Sequence, residues 1–453
     1  MSAKAVRGPL SAILTALALV VAMLAAGAAY AAGGQYLGVA TCAGSTCHGR
    51  AEGNGAVVRQ DEIATWQEPS SPSGSHSRAY AVLSSLRGRQ IGATLGIEPT
   101  GSGECLQCHA TPAPTGARAA RFQLSDGVGC EGCHGPADRW LATHYTVQGN
   151  HASNVAAGMV PLENPQVRAR LCLDCHFAGS ESGQFVTHRV MAAGHPRLSF
   201  ELDLFSALQQ HHDTDADYIR RKGDLSSVRL WAVGQAEAVR REMAVFRDPA
   251  RGSQGLYPEF FFFDCHSCHR QITDGPQRRL TFETNPGRPI GFATPPFNDE
   301  NMIMLSVAAR TLAPGQGAAF DGAVAVFHQA MGKGRGETVA AAQRLEAAAG
   351  ALSDALSKRG YDGGDAFRVI GAIADRTTAP RFTDYAGSAQ AVMAVDTLLN
   401  AMVREGRITV GAAAGIRTSI NRAYAAVDSP ESYNPAGFRT ALGQAARSIG
   451  ALQ

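Results

Sequence analysis

Cys130-Glu-Gly-Cys133-His134 is the third of five segments in which a pair of cysteines is followed directly by a histidine. The other four are Cys42-Ala-Gly-Ser-Thr-Cys47-His48, Cys105-Leu-Gln-Cys108-His109, Cys172-Leu-Asp-Cys175-His176 and Cys265-His-Ser-Cys268-His269. Together they use all ten cysteines of the chain. Two closely spaced thiols can add to the two vinyl groups of one haem, while the next histidine binds the iron. The pattern therefore predicts five covalently attached haem c groups, with proximal iron ligands His48, His109, His134, His176 and His269.

Two other uses of paired cysteines remain open at this point. Ten cysteines in an exported chain can form disulfides, and cysteines with histidines can bind zinc. Neither use requires a histidine directly after every second cysteine, which this chain has at all five segments. The first segment has four residues between its cysteines instead of two, and the longer loop can bulge to bring both thiols to one haem.

The N-terminal segment has the pattern of a secretory signal peptide. Lys4 and Arg7 precede an uncharged apolar run over residues 10–29, and Ala29-Tyr30-Ala31 fits a small-x-small cleavage site. Residues 1–31 are therefore predicted to be a signal peptide, and the mature protein is expected in the periplasm, because bacteria attach haem c outside the cytoplasm. The alternative is an uncleaved anchor, since the run approaches the roughly 20 residues that span a bilayer. A membrane is an expected partner only in that case.

The charge of the chain excludes one class of partner. The sequence has 41 Lys and Arg against 39 Asp and Glu, and removal of Lys4 and Arg7 with the signal would balance the two. Haem propionates would then make the loaded protein mildly acidic. We therefore expect no nucleic-acid binding, and other periplasmic or membrane-associated redox proteins as partners.

The composition divides the chain into parts. Residues 32–279 hold every cysteine and thirteen of the fourteen histidines, with frequent Gly, Pro and Ser between the motifs. Because haem is a large apolar plate, it can supply the core of this part, so we expect a multihaem cytochrome c domain with short helices and long loops around stacked haems. Residues 280–299 are rich in Pro, Gly and Arg and are predicted to be a linker. Residues 300–453 are predicted to form an all-α helical bundle, which makes the fold mainly α.

Helical periodicity supports this division. Within the bundle, apolar residues predict helices near residues 302–311, 322–331, 339–356, 365–373, 392–402, 412–427 and 436–452. In the haem part, one long helix is predicted between the capping residues Asp224 and Ser226 and the stop Asp248-Pro249, packed over the haem cluster. Residues 260–263 are four phenylalanines that fit either an apolar wall for haem or a buried strand.

The remaining histidines are candidates for the second axial position of each iron. We predict His76, His144, His188 and His195 as distal ligands. Four others stay less favoured candidates, namely His151, His211, His212 and His266. His328 lies on the apolar face of a bundle helix, where a core role is expected. A haem with two histidine ligands suits electron transfer, whereas one with an open face can bind a small ligand.

Three features within residues 35–279 carry a family resemblance: the element from Trp66 to His76, the Cys-Glu-Gly-Cys-His-Gly-Pro segment leading to His144, and the histidines after the fourth site. In these features the chain resembles the tetrahaem cytochrome c of nitrifying bacteria and its multihaem relatives. The resemblance implies that such histidines bind neighbouring haems, that haems lie in closely stacked pairs, and that electrons pass from hydroxylamine oxidation toward the membrane. The chain differs from that family in its fifth site, its wide first site and its added bundle. Pentahaem nitrite reductases attach their catalytic haem through Cys-x-x-Cys-Lys, which is absent here.

Two functions follow as hypotheses. The first, which we favour, is a periplasmic electron carrier with five haems close enough for electrons to pass between them, because the nine histidines left over outnumber the five irons. The second is an oxidoreductase in which one haem keeps an open face and acts on a small nitrogen or sulfur compound. No catalytic residue is assigned from the sequence.

Overall fold

The computed structural model describes residues 34–53, 59–223, 225–252, 257–269, 285–290 and 294–453. These residues form twenty α-helices and no β-strand, with three isolated β-bridges, so the mainly α prediction is confirmed. The segment 1–31, predicted as a signal peptide or an anchor, lies outside the described residues. Within the described ranges, no helix is long and apolar enough to cross a membrane.

The first half of the chain has the expected short helices and long loops. Its eleven α-helices before residue 223 are α1 Val39–Cys42, α2 Glu62–Gln67, α3 Leu86–Leu95, α4 Gly103–His109, α5 Cys130–His134, α6 Leu141–His144, α7 His151–Ala156, α8 Pro165–His176, α9 His188–Ala192, α10 Leu202–Leu208 and α11 Ala216–Lys222. Several begin with a side chain that caps the free backbone N–H groups, such as Asn164 at α8 and Thr187 at α9. Local capping therefore fixes helices that are too short to be stable alone.

The long helix α12 spans Ser227–Arg247, and the Ser226 side chain accepts a hydrogen bond from the Arg229 backbone N–H, as predicted for a cap. Asp224 lies outside the described residues. The helix packs on α8, which carries the fourth cysteine pair, but its most extensive contact is with α16 in the C-terminal half. It is buried on nearly all sides, with Trp231, Val239 and Met243 fully buried. Contacts with helices on several sides place α12 in the core rather than over one surface.

Helix α13 Cys265–Cys268 carries the fifth cysteine–histidine motif. The remaining helices confirm the predicted all-α bundle and are α14 Glu300–Leu312, α15 Pro314–Ala330, α16 Arg335–Lys358, α17 Asp365–Ile373, α18 Tyr385–Arg404, α19 Val410–Ala425 and α20 Pro435–Gly450. Helix α18 ends before Gly406, whose φ of 69° is in the left-handed region that glycine adopts without strain. Each helix predicted from periodicity in this half is present.

One continuous hydrophobic core joins the two halves of the chain, from Ala169 in α8 to Ile449 in α20. Residues 260–263 form no strand, since Phe260–Phe262 is a turn of 3-10 helix. Phe262 packs edge-on against Phe246 of α12 and stacks on Phe297, and both of these contact Phe327 of the bundle.

The described part of the expected linker is held in place by charge. The guanidinium of Arg288 lies 3.4 Å from a carboxylate oxygen of Asp299 and 3.3 Å from one of Asp384, and all three side chains are buried. The domain boundaries themselves stay a prediction.

Candidate haem-binding sites

Four of the five cysteine–histidine motifs lie at the C-terminal end of a helix. Helices α4, α5 and α8 end at the motif histidine, and α13 ends one residue before His269. In a helix, residues three and four positions apart share one face. The two thiols and the histidine of each motif therefore project from the same side, as attachment to one haem requires.

The wide first site reaches a similar arrangement through a turn. Helix α1 ends at Cys42, and the chain then folds back, because the Cys47 backbone N–H donates to the Gly44 carbonyl at 2.8 Å. The His48 backbone N–H donates to the Cys42 carbonyl at 3.2 Å. The four-residue insertion thus forms a closed loop that keeps His48 beside Cys42.

The ten cysteines are all free thiols in this structure. Among the described residues, no group of three or more Cys, His, Asp or Glu has the arrangement of a metal site of its own. The thiols are available for the thioether bonds that haem c needs.

The structure brings each motif histidine opposite a second histidine. The distances between ring centroids are 6.3 Å for His48 and His144, 6.0 Å for His176 and His76, 6.2 Å for His109 and His195, 6.2 Å for His134 and His211, and 6.1 Å for His269 and His188. A metal lies about 2 Å from an imidazole nitrogen, and that nitrogen lies about 1 Å from its ring centroid. Two imidazoles on opposite sides of one iron therefore have centroids roughly 6 Å apart. All five pairs have the separation that a haem iron between them would need.

Hydrogen bonds leave one ring nitrogen open in several of these histidines. The Nδ1 atoms of His109, His144, His195 and His211 each lie within hydrogen-bond distance of a backbone carbonyl, those of Ala79, Leu141, Pro196 and Gln209. The Nδ1 of His48 lies 3.0 Å from Glu62 Oε2. A donor bond at Nδ1 fixes the tautomer and leaves Nε2 as the lone-pair ligand. The residues present thus fit an iron between each pair.

Burial keeps two of the motif histidines neutral. It lowers the pKa of His134 to about 3, with a further contribution from His211, and lowers the pKa of His176 to about 4, with a further contribution from His76. Because iron binds the neutral imidazole, both rings are in the binding form at ordinary pH.

The structure places all four predicted distal histidines in these pairs, and the fifth partner is His211, one of the less favoured candidates. His151 lies instead 2.7 Å from Glu163, and His266 Nδ1 lies 2.7 Å from the Pro430 carbonyl. His328 is fully buried in the bundle, as expected, and neither ring nitrogen has a hydrogen-bond partner among the described residues.

Neighbouring sites touch in a definite order. Cys42 of the first site and Cys130 of the third lie close enough to shift the pKa of each other, and so do Cys108 of the second and Cys175 of the fourth. The third and fourth sites are also close, because the pKa of Cys172 is raised by burial, the larger effect, and also by Cys133.

The fifth site adjoins the second through the segment that carries their distal histidines. His188 begins α9, and His195 follows directly after that helix, with its backbone N–H donating to the Val190 carbonyl at 3.2 Å. These links join the first site to the third, the third to the fourth, the fourth to the second, and the second to the fifth.

One comparison with known proteins bears on the class of this protein. Residues 41–135, which include the first three cysteine–histidine sites, match the family model of cytochrome c554 and c-prime. No curated protein and no solved structure matched the chain. The match and the helical fold support a c-type cytochrome, a protein that binds haem c covalently and functions in electron transfer.

Proposed function

We propose that this protein is a multihaem electron carrier with five covalently attached haem c groups, each bound through two thioethers and two axial histidines. The proposal rests on one observation above all, the five histidine pairs with ring centroids 6.0 to 6.3 Å apart. Bound haem iron supplies one-electron chemistry by changing between its ferric and ferrous states.

The residues of the chain determine what that iron can do. A histidine on each side fills both axial positions, which leaves no place for a substrate on the metal. The alternative function, an oxidoreductase with one open haem, would need a motif histidine with no histidine facing it. Each of the five motif histidines faces one, and this favours the carrier.

The order of the sites supports passage of electrons through the protein. Contacts between the cysteines of neighbouring sites, and the segment shared by His188 and His195, are the basis for proposing that the five sites form one row in the order first, third, fourth, second and fifth. The first and fifth sites would be its ends. Cys47 and Cys268 are the two exposed cysteines and belong to these two sites, so partners can reach both ends.

We propose the periplasm as the location, because the signal pattern over residues 1–31 accompanies a cofactor that bacteria attach outside the cytoplasm. The partners we propose are other periplasmic or membrane-associated redox proteins. A relation to the nitrifier tetrahaem cytochromes would explain the stacked order of the first four sites, and the fifth site would extend that row.

The proposal can be tested with carbon monoxide. The dithionite-reduced protein should show no carbon monoxide adduct in its visible difference spectrum, because histidine occupies every axial position. Binding of about one carbon monoxide per polypeptide would instead support the oxidoreductase with an open haem.

A further inference from the structure

The first site differs from the others in what its proximal histidine touches. Among the ten paired histidines, His48 is the one with a carboxylate within hydrogen-bond distance, as far as the described residues show. Where an Nδ1 bond is present at the second and third sites, the partner is a neutral backbone carbonyl, as for His109 with Ala79 and His211 with Gln209. A carboxylate partner makes an imidazole a more electron-donating metal ligand than a carbonyl does.

Glu62 is held in place for this contact. It is the first residue of α2, and the next backbone N–H, that of Ile63, donates to the His48 carbonyl at 3.1 Å. The Trp66 indole N–H in the same helix donates to the Val128 carbonyl at 3.1 Å, which ties α2 to the third site. The Glu62 side chain is only 12% exposed, so solvent screens its charge weakly.

The geometry of this contact is that of a strong hydrogen bond. Nδ1 of His48 lies 3.0 Å from Oε2 of Glu62, and the carboxylate is mostly buried. A carboxylate in this position places negative charge next to the axial ligand.

The fifth site has a weaker version of this contact. His269 Nδ1 lies 3.8 Å from Glu431 Oε1, beyond hydrogen-bond distance, and the two side chains are 54% and 57% exposed. Water screens an interaction between groups so exposed. The two ends of the row therefore differ in the charge that acts on the iron ligand.

We propose that Glu62 is a positioning residue that lowers the reduction potential of the first site, making this site the low-potential end of the row where electrons enter. The inference rests on the proposed electron-carrier function. A negative charge beside the ligand favours ferric over ferrous iron, so electrons given to the first site would move toward the fifth.

Glu62→Gln tests the proposal, because glutamine keeps the shape and an oxygen acceptor but removes the charge. A shift of the ferric–ferrous equilibrium by about tenfold, the lower end of the effects that outer-sphere partners have at metal sites, corresponds to about 59 mV. In a spectroelectrochemical titration, we expect the lowest of the five potentials to rise by about this amount while the other four stay in place. Glu62→Asp, which keeps the charge, should give a smaller rise.

Glu163→Gln is the matched control. Glu163 also bonds a histidine, His151, at 2.7 Å, but that histidine faces no motif histidine. This variant should leave all five potentials unchanged. Five unchanged potentials in Glu62→Gln, or a rise in any potential but the lowest, would overturn the proposal.

Two further readouts separate this inference from the proposed function. Both glutamate variants should keep five covalent haems by intact mass and an entirely low-spin spectrum. If the unmodified protein has a high-spin iron, the carrier proposal fails. If all irons are low-spin but Glu62→Gln and Glu62→Asp shift no potential, only the role of Glu62 fails.

Discussion

Replacement of His211 with alanine tests the histidine pairing at the third site, because the adjacent residue provides its own control. The His211 ring centroid lies 6.2 Å from that of His134. His212 is the next residue, but its ring packs instead against His211 at 4.9 Å and Tyr218 at 5.9 Å. Two neighbouring histidines of the same type thus receive opposite predictions.

The expected size of the effect follows from the number of sites. His211→Ala should leave the third haem attached, because its thioether bonds form at Cys130 and Cys133 and not at the distal position. One iron of five would then lose an axial ligand and become high-spin, which is about one fifth of the total iron. The reduced variant should also bind about one carbon monoxide per polypeptide, because one axial position is open.

Electron paramagnetic resonance with spin quantification against total iron measures this fraction directly. His212→Ala should remain fully low-spin and bind no carbon monoxide. The double variant His211→Ala/His212→Ala removes the chance that His212 replaces its neighbour, and should match the His211 single variant or show a fuller conversion. A fully low-spin double variant, or an equal high-spin fraction in the His212 single variant, would refute the pairing.

Three further predictions concern haem number and stability. Five attached haems should add roughly 3 kDa to the processed polypeptide in intact-mass analysis, and a mass fitting four haems would point to the wide first site as empty. Phe246→Ala should lower the free energy of unfolding by about 3–5 kcal/mol in a denaturant titration, because the fully buried ring of Phe246 joins Phe262 to the bundle. A loss below about 1 kcal/mol would contradict the continuous core. Glu242 is buried, and both of its carboxylate oxygens lack a hydrogen-bond partner among the described residues. Burial is the main cause that raises the pKa of Glu242 well above its ordinary value, and the charge of Glu300 adds to it. The folded state therefore holds this proton more tightly than the unfolded state, and stability is lost as the pH rises above the unfolded pKa. Glu242→Gln should raise the melting temperature at pH 8 but hardly at pH 4, and an equal change at both would contradict the assignment.

The sequence predicts the helices of the bundle well, because local periodicity and capping residues are enough to define them. Helix α12 shows the limit of this reasoning. Its apolar positions predict its length, Ser226 predicts its start, and its position over the haem cluster stays a prediction. The sequence also contains charged residues such as Glu237, Arg240 and Glu242, so it gives no sign that the helix is packed against α16 as well as α8.

The candidate sites show the same difference between what local sequence predicts and what only the fold determines. Attachment motifs are local in sequence, so spacing alone identifies them. Distal pairing is not local: His76 faces His176, and His144 faces His48, and only the fold brings such residues together. His211 was a less favoured candidate because nothing in its spacing ranks it above its neighbour His212. No sequence pattern distinguishes Glu62, which the fold buries beside His48, from carboxylates that stay on the surface.

The proposed carrier function requires that histidine fills both axial positions of all five irons. The most direct test is the electron paramagnetic resonance spectrum of the oxidised protein, integrated against its iron content. The five histidine pairs predict that low-spin ferric signals account for all of the iron, with no high-spin signal. A high-spin signal that integrates to about one fifth of the iron or more would contradict the account, because it would show at least one of the five irons without its second histidine.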